Sequence, residues 1–368
     1  MRACVVGGGL AGSLLAWRLG QATTGWRLDL VPGERTRADA TSASGGAVRA
    51  FETDPEQRRL ACDSLVELLG SRTLREWSRY QRVDSVYLRA ASDGLDAAVA
   101  ELNEVLPGSA QLASVAELER TGWAGLPAGA TAVVEREAGY TAPGPWRDAV
   151  LGDPAFQRRV RVLAGSVTAI EPAGASLSCV VAGHRHDYDL VVVAAGQWTG
   201  QLLGAIRPPV NQPAARYRTK SIQYSIYRTG DWQPPILVDE TSGLYGRPTA
   251  DGGLLLGLPV DLWDVDPDQP VVTPVVHEEA ARLARLRFPR LDLGPVTRQV
   301  GSADCYADRP ILSLRPVING DHRLFTFTGG AGGSVKTVLA ASHRAATQLV
   351  EHSQSTELTS VGRGKGQP

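Results

Sequence analysis

The chain has 368 residues, 38 Lys and Arg against 39 Asp and Glu, and a formal net charge of −1. That length exceeds one ordinary core, so two domains are the default. The balance leaves no basic face for nucleic acid or an anionic membrane surface, and no apolar run is long enough to span a bilayer.

Arg2–Val6 reads as a short buried strand, and Gly7-Gly8-Gly9-Leu10-Ala11-Gly12 then matches G-x-G-x-x-G. Leu14, Leu15, Trp17 and Leu19 follow at helical spacing. A strand, a glycine turn and a helix form the context that a dinucleotide fingerprint needs. Gly7 allows the tight turn, Gly9 lets the backbone approach a pyrophosphate, and Gly12 lets helix and strand pack closely. Leu10 and Ala11 open the helix, whose unpaired N–H groups face the phosphates. The strand starts directly after Met1, which leaves no room for a signal peptide. Four scattered cysteines without C-x-x-C fit reduced thiols in the cytoplasm, with Cys4, Cys62 and Cys179 in apolar patterns.

Arg27–Val31 is the second strand. An acidic residue should end it to hold a ribose. Pro32 stands there instead, with Glu34 two residues on as the substitute. Thr41-Ser42-Ala43-Ser44-Gly45-Gly46 is a small-residue loop, and Arg49 follows. Two readings stand open: a surface loop with a solvated arginine, or a loop laid along a cofactor with Arg49 aimed at an anion. Thr53-Asp-Pro-Glu56 reads as a capping box opening a helix to about Gly70.

Val83–Ala90 alternates as a strand, Leu95–Leu106 is helical, and Ser114-x-x-Glu117 caps a short helix. Gly139–Pro143 reads as a turn before a helix at Trp146–Leu151. Ser176–Val181 and Arg185–Tyr188 form a hairpin around Ala182-Gly183, and Asp189–Gly196 is a continuous apolar strand of the parallel-sheet kind, ending in Ala194-Ala195-Gly196-Gln197-Trp198. His184 and His186 alternate on a hairpin edge without a third ligand, and His277-Glu-Glu279 lacks H-E-x-x-H spacing, so no metal is expected.

Arg218–Tyr227 and Gly243–Gly257 are strand-rich, with Asp251-Gly252 a hairpin turn. His277–Phe288 is an amphipathic helix, Gln299–Leu314 contains Cys305, and Leu324–Thr328 is a core strand. Gly329-Gly330-Ala331-Gly332-Gly333-Ser334-Val335-Lys336 then opens a helix to about Val350. This second glycine loop at a helix N-terminus suits a flavin's electron-rich end. Ser353–Pro368 is polar and reads as disordered.

Taken in order, the N-terminal glycine turn, the Ser42–Gly46 loop, the strand ending Ala195-Gly196-Gln197-Trp198, the Tyr245-Gly-Arg247-Pro hairpin and the Gly329–Lys336 loop resemble the FAD-dependent D-amino-acid oxidase superfamily. The branch most similar is monomeric sarcosine oxidase. The resemblance covers nearly the whole chain apart from the tail. It implies α/β plus α+β architecture: a Rossmann-like FAD-binding domain interleaved with a substrate domain carrying a mostly antiparallel sheet. The FAD domain would comprise 1–82, 141–212 and 290–352, and the substrate domain 83–140 and 213–289.

The resemblance further implies hydride transfer from an amine or a cyclic or N-alkyl amino acid to the flavin, giving an imine. Arg49 and Lys336 match the family's substrate-carboxylate holders, with Tyr245 and Arg247 on the facing hairpin. Two arginines stand near Arg49 in the relatives, where this chain has one. The family's flavin-linking cysteine falls near Cys305, though the spacing to Asp308 is shorter here, so a covalent link and an ordinary buried thiol both stand. The family's oxygen-activating lysine sits in Gly-Leu-Lys-Leu-Gly; Gly253-Leu-Leu255-Leu-Gly257 puts Leu255 there. An aromatic-hydroxylase-type monooxygenase is the competing enzyme reading, but its Gly-Asp motif is replaced by Thr328-Gly-Gly. A non-catalytic flavin-binding protein is the third. The expected partner is a small molecule, with the chain a monomer or weak dimer.

Overall fold

The computed structural model describes residues 1–34, 39–90, 94–206, 215–318 and 322–363, with only the backbone described after residue 354. Among the described residues the strands form four sheets. In the first the order is Ser313–Pro316, Leu324–Thr328, Leu190–Val193, Arg2–Val6, Arg27–Val31, Val160–Val162. Its strands pair in parallel except at the Ser313–Pro316 edge. Leu190–Val193 is buried throughout, as expected of a strand covered on both faces. The helix Leu10–Ala22 and the last helix, Ser334–Arg363, pack together over one face, with Leu14, Leu15, Val192, Phe327 and Leu339 in their shared core.

A hairpin sheet, Val167–Ala173, Ser176–Val181 and His184–Tyr188, covers the other face. Its Ala182-Gly183 turn takes the positive φ values, 48° and 81°, that a two-residue hairpin loop demands.

The largest sheet has eight strands: Leu293–Ala307, Tyr217–Thr229, Gly253–Gly257, Tyr245–Pro248, Ile236–Asp239, Ser85–Arg89, Thr131–Glu135 and Ala110–Ser114, in that order. Pairing is antiparallel except between Ser85–Arg89 and Ile236–Asp239. The helix Pro274–Arg287 covers its outer face over Leu88, Leu237 and Leu256. Arg287 ties helix to sheet through a buried pair with Asp239 at 2.7 Å.

Four readings of the sequence change here. Leu293–Ala307 pairs along Tyr217–Thr229 and so belongs to this large sheet, although residues 290–352 read as part of the FAD domain. Gly139–Tyr140 is a strand rather than a turn. It sits between Ala47–Val48 and Gln81–Arg82, two segments too short to show a period. The helix Pro55–Gly70 is capped by Asp54, whose carboxylate accepts from Glu56 N and Gln57 N, rather than by Thr53. Asp competes well for that position, and Pro55 at the first helical position fixes the register. The last helix runs past Val350 to Arg363, into the segment that reads as disordered; residues 364–368 lie outside the described residues. That stretch carries no proline and no glycine before Gly362, so nothing stops the helix earlier.

Candidate active site

A cavity of about 840 Å³ begins at the carboxyl ends of Arg2–Val6 and Leu190–Val193 and extends to the large sheet. The chain leaves these two neighbouring strands toward opposite sides, which opens a crevice between them. Gly7, Gly9, Leu10 and Ala11 line this end. Gly7 has φ +117°, and a Cβ there would enter the Ala194 carbonyl. A Cβ on Gly12 would land on the Gly7 carbonyl oxygen, so Gly12 serves the turn's packing and does not itself line the cavity. The first helix carries no acidic residue in its first turn and no side-chain cap from Gly9. Its N-terminus is therefore open to an anion. These features form a cradle fitted to a dinucleotide pyrophosphate.

Pro32 packs on Gly8, and Glu34 lies at the cavity's exposed margin, where its N–H donates to Ser166 Oγ at 3.2 Å. Ser44 and Gly45 line the cavity, but Ser42 turns away: its N–H and Oγ both donate to Asp39, at 2.7 and 2.9 Å. Thr41 was not singled out from sequence, yet its Oγ1 accepts from Leu10 N at 3.0 Å and joins the small-residue loop to the first helix. Ala195, Gly196 and Trp198 line the wall beside the apolar strand. From the far end of the chain come Cys305, Gly330, Gly332 and Lys336. Gly333 lies just outside, under the Lys336 side chain: a Cβ there would sit 2.9 Å from Lys336 Cε.

Arg49, Lys336, Tyr245 and Arg247 all face this inner chamber. Glu52, which sequence reasoning missed, lies behind the first two. Its Oε1 is 3.0 Å from Arg49 Nη2 and 2.5 Å from Lys336 Nζ. Burial pushes the Glu52 carboxyl upward, but the Arg49 and Lys336 charges outweigh burial and hold it below its ordinary value. Burial pushes the Lys336 ammonium below its ordinary value. Arg49 also lies 4.5 Å over the Tyr87 ring and donates to the Phe51 carbonyl. The signal for Glu52 was its i, i+3 spacing from Arg49, which outside a helix carries no weight.

Arg247 is held differently. Its Nε donates to the Gly45 carbonyl, its Nη1 donates to the Pro248 carbonyl at 2.7 Å, and its guanidinium lies 4.4 Å over the Tyr140 ring. It makes no ion pair among the described residues. Tyr245 donates its hydroxyl to the Gln223 carbonyl at 2.8 Å. Leu255 faces Arg247 across the hairpin and lines the same chamber.

Asp304 is the second residue that sequence reasoning missed. It precedes Cys305 on Leu293–Ala307, lines the cavity, and is 8% exposed. Its side chain makes no hydrogen bond or ion pair among the described residues, and burial pushes its carboxyl up to about 7. Burial also pushes the neighbouring Cys305 thiol up to about 11.

The sequence matches the FAD dependent oxidoreductase (DAO) family over residues 2–348. The chain belongs to that family. The DAO match spans both the glycine turn at Gly7 and the loop at Gly330, so the two ends of the cradle fall within it. No curated protein matches the sequence. Among solved structures, the chain is similar to an L-proline dehydrogenase from P. horikoshii, with a TM-score of 0.76, 15% identity, and 95% and 93% of the two chains covered. It is also similar to NikD, described as an unusual amino acid oxidase essential for nikkomycin biosynthesis, with a TM-score of 0.73, 19% identity, and 95% and 93% covered. Glycine oxidase from Geobacillus kaustophilus gives a TM-score of 0.73, 16% identity, and 95% of each chain covered. At these identities the likeness is one of fold. Among the described residues no helix is long and apolar enough to cross a membrane, and no cluster of side chains could hold a metal ion.

Proposed function

We propose that this DAO-family enzyme oxidises a carbon–nitrogen bond of a small amine or amino acid to an imine. One observation carries the reading: Arg247 presents a half-buried guanidinium to the inner chamber with no ion pair among the described residues, the exposed Asp251 carboxylate acting on it only at a distance. A substrate carboxylate is the natural counter-ion, and guanidinium binds carboxylates in two-pronged geometry. Arg49 and Lys336 stand in the same chamber as two cations against one directly paired carboxylate, Glu52, with the buried Glu135 carboxyl acting on both from behind. FAD, when bound, supplies the two-electron acceptor.

The residues then divide the work. Gly7, Gly8 and Gly12 keep the backbone close enough to hold the cofactor's pyrophosphate, and Ala195, Gly196, Trp198, Gly330 and Gly332 wall the remainder of the cradle. Arg247 orients the substrate by its carboxylate, and Arg49 with Lys336 biases the chamber toward anions. Tyr245 and Leu255 supply apolar walls that exclude water and favour a neutral amine, and the Tyr140 ring backs the Arg247 guanidinium. The solved structures named for a proline dehydrogenase, a glycine oxidase and an amino acid oxidase lend support through the shared fold.

The test is anaerobic reduction of the purified holoenzyme by glycine, N-methylglycine, L-proline and their decarboxylated counterparts. Bleaching of the flavin by an amino acid is the expected result. In Arg247→Ala the dissociation constant for that amino acid should rise at least about ten-fold, the loss of one charge-assisted pair worth roughly 1.5–3 kcal/mol. The counterpart without a carboxylate should be unaffected. NADPH-driven reduction without any response to amines would overturn the reading.

A further inference from the structure

Asp304 has no assignment in the function just described. It is buried, faces the cavity, and makes no side-chain hydrogen bond or ion pair among the described residues. A buried carboxyl without a partner is costly and calls for a reason. Its position is specific. A Cβ on Gly332 would sit 3.0 Å from Asp304 Oδ2, so the carboxyl lies directly against the second glycine loop.

The groups around Asp304 leave its charge uncompensated. On its own strand stand Cys305 and Tyr306, both pushed up by burial, to about 11 and about 12, and therefore neutral near pH 7. From the hairpin on the far side of Tyr217–Thr229 comes Tyr245, whose hydroxyl burial pushes well above its ordinary value. Across the strand pair lies Lys220, but its ammonium is turned to Asp261, at 3.7 Å, and to the Trp263 ring, at 4.7 Å. The Lys336 ammonium, on the helix that follows the glycine loop, is committed to Glu52 at 2.5 Å. Asp304 is thus a carboxyl whose immediate neighbours are neutral hydroxyls and a thiol, while the cations of the same chamber are engaged elsewhere, Lys336 with Glu52, Lys220 with Asp261 and Arg247 with the Gly45 and Pro248 carbonyls. Such a group exchanges a proton near neutral pH, where an ordinary aspartate cannot.

We propose that Asp304 is the base that takes the proton from the substrate's ammonium group. The inference rests on the amine reading given above. An amine arrives from water mostly protonated, and a protonated nitrogen has no lone pair to expel a hydride from the adjoining carbon. In the proposed step the N–H bond breaks and its electron pair stays on nitrogen. The proton forms an O–H bond on the Asp304 carboxylate, which becomes neutral in a setting that favours the neutral form. The amine is left uncharged, and no oxidant or further reactant takes part in this step. A positively charged ammonium group beside an anionic carboxylate becomes a neutral pair, so the chamber gains no net charge.

Two measurements on the holoenzyme test this. In the first, the absorbance of the bound flavin is followed from pH 5 to pH 9 without any amine. Wild type is expected to show a transition near pH 7, and Asp304→Asn to lack it. In the second, kred/Kd for anaerobic reduction is measured over the same range with whichever of N-methylglycine, L-proline or glycine reduces the flavin. Wild type should fall by about tenfold per pH unit below a break near 7. Asp304→Asn should lose that break, rise steadily toward the amine's own pKa, and be slower by about 100-fold at pH 8. Asp304→Glu keeps a carboxyl and should restore a break near neutrality. It also keeps the test open should the Asn variant bind no flavin. A break near pH 7 that survives in Asp304→Asn, with kred/Kd at pH 8 unchanged, overturns the proposal while leaving the amine reading intact. Absence of reduction by every amine overturns the amine reading, and this role with it.

Discussion

Lys336 Nζ lies 2.5 Å from Glu52 Oε1, the same oxygen that Arg49 approaches at 3.0 Å. One carboxylate therefore lies directly between two cations on the chamber wall, with the buried Glu135 carboxyl the next acid acting on both. Glu52→Gln would leave Arg49 and Lys336 without their direct ion-pair partner. Breaking a buried pair in this way costs about 3–5 kcal/mol, and urea unfolding at pH 7 should read a loss of that size. The double variant Glu52→Gln/Lys336→Met should recover part of it, because the second change removes one of the stranded charges. A loss under about 1 kcal/mol would mean the chamber is wetter than its burial indicates. The sign with pH follows. The Glu52 carboxyl is held below its ordinary value, so its contribution is complete above about pH 4.3 and is lost as pH falls further. Glu52→Gln should flatten that acid limb.

Gly12→Val should yield colourless protein. The added side chain meets the Gly7 carbonyl oxygen, so the glycine turn and the first helix must separate. The absorbance of the purified variant at flavin wavelengths checks this, and a full complement of flavin would exclude the cradle as the cofactor's seat.

Oxygen should be a poor acceptor. By the resemblance to sarcosine oxidases, position 255 is where a lysine would stabilise superoxide, and Leu255 is 2% exposed and apolar. Loss of one such preorganised charge typically costs about 10²–10³ in rate. Stopped-flow reoxidation of the reduced enzyme should be slow, and Leu255→Lys should speed it. Two of the other cations lining the cavity could take over that role. Arg247 is the cross-strand partner of Leu255, whereas Lys220 is held over Trp263. Fast reoxidation abolished by Arg247→Ala or Lys220→Ala would show that the charge has been moved.

The flavin should separate from the protein on acid precipitation. A cysteine attacks as thiolate, and burial pushes the Cys305 thiol up to about 11, with the Asp304 carboxylate next to it opposing ionisation. Colour remaining in the precipitate, and lost in Cys305→Ala, would establish a covalent link instead.

How far the sequence was readable follows from what each residue answers to. The glycine turn, the apolar strand at Leu190–Val193 and the second glycine loop obey local rules of spacing and backbone freedom, and the structure places them as read. Residues 290–352 read as one piece of the FAD domain, yet Leu293–Ala307 lies in the large sheet, because nothing within that strand names its partner. Tyr217–Thr229, some seventy residues earlier, decides that. Gly139–Tyr140 is a strand only because two other short segments flank it. Glu52 and Asp304 carry no motif at all. Their meaning lies in burial and in which charges face them, and neither has a period along the chain. Ser42 and Gly333 show the converse, since each stands in a legible loop yet lies just outside the cavity lining, behind Asp39 and Lys336.

The two glycine loops that close the cradle belong to opposite ends of the chain, and the helices behind them, Leu10–Ala22 and Ser334–Arg363, pack on each other. During synthesis the first loop emerges long before the second and then waits for it. The segment that carries the first loop stays, over that interval, without the helix that buries Leu14 and Leu15. Its closure spans most of the chain, which makes that step slow and leaves apolar surface uncovered meanwhile. Cofactor loading is therefore a final event in the protein's assembly, and flavin supply during expression should govern how much chain survives to fold.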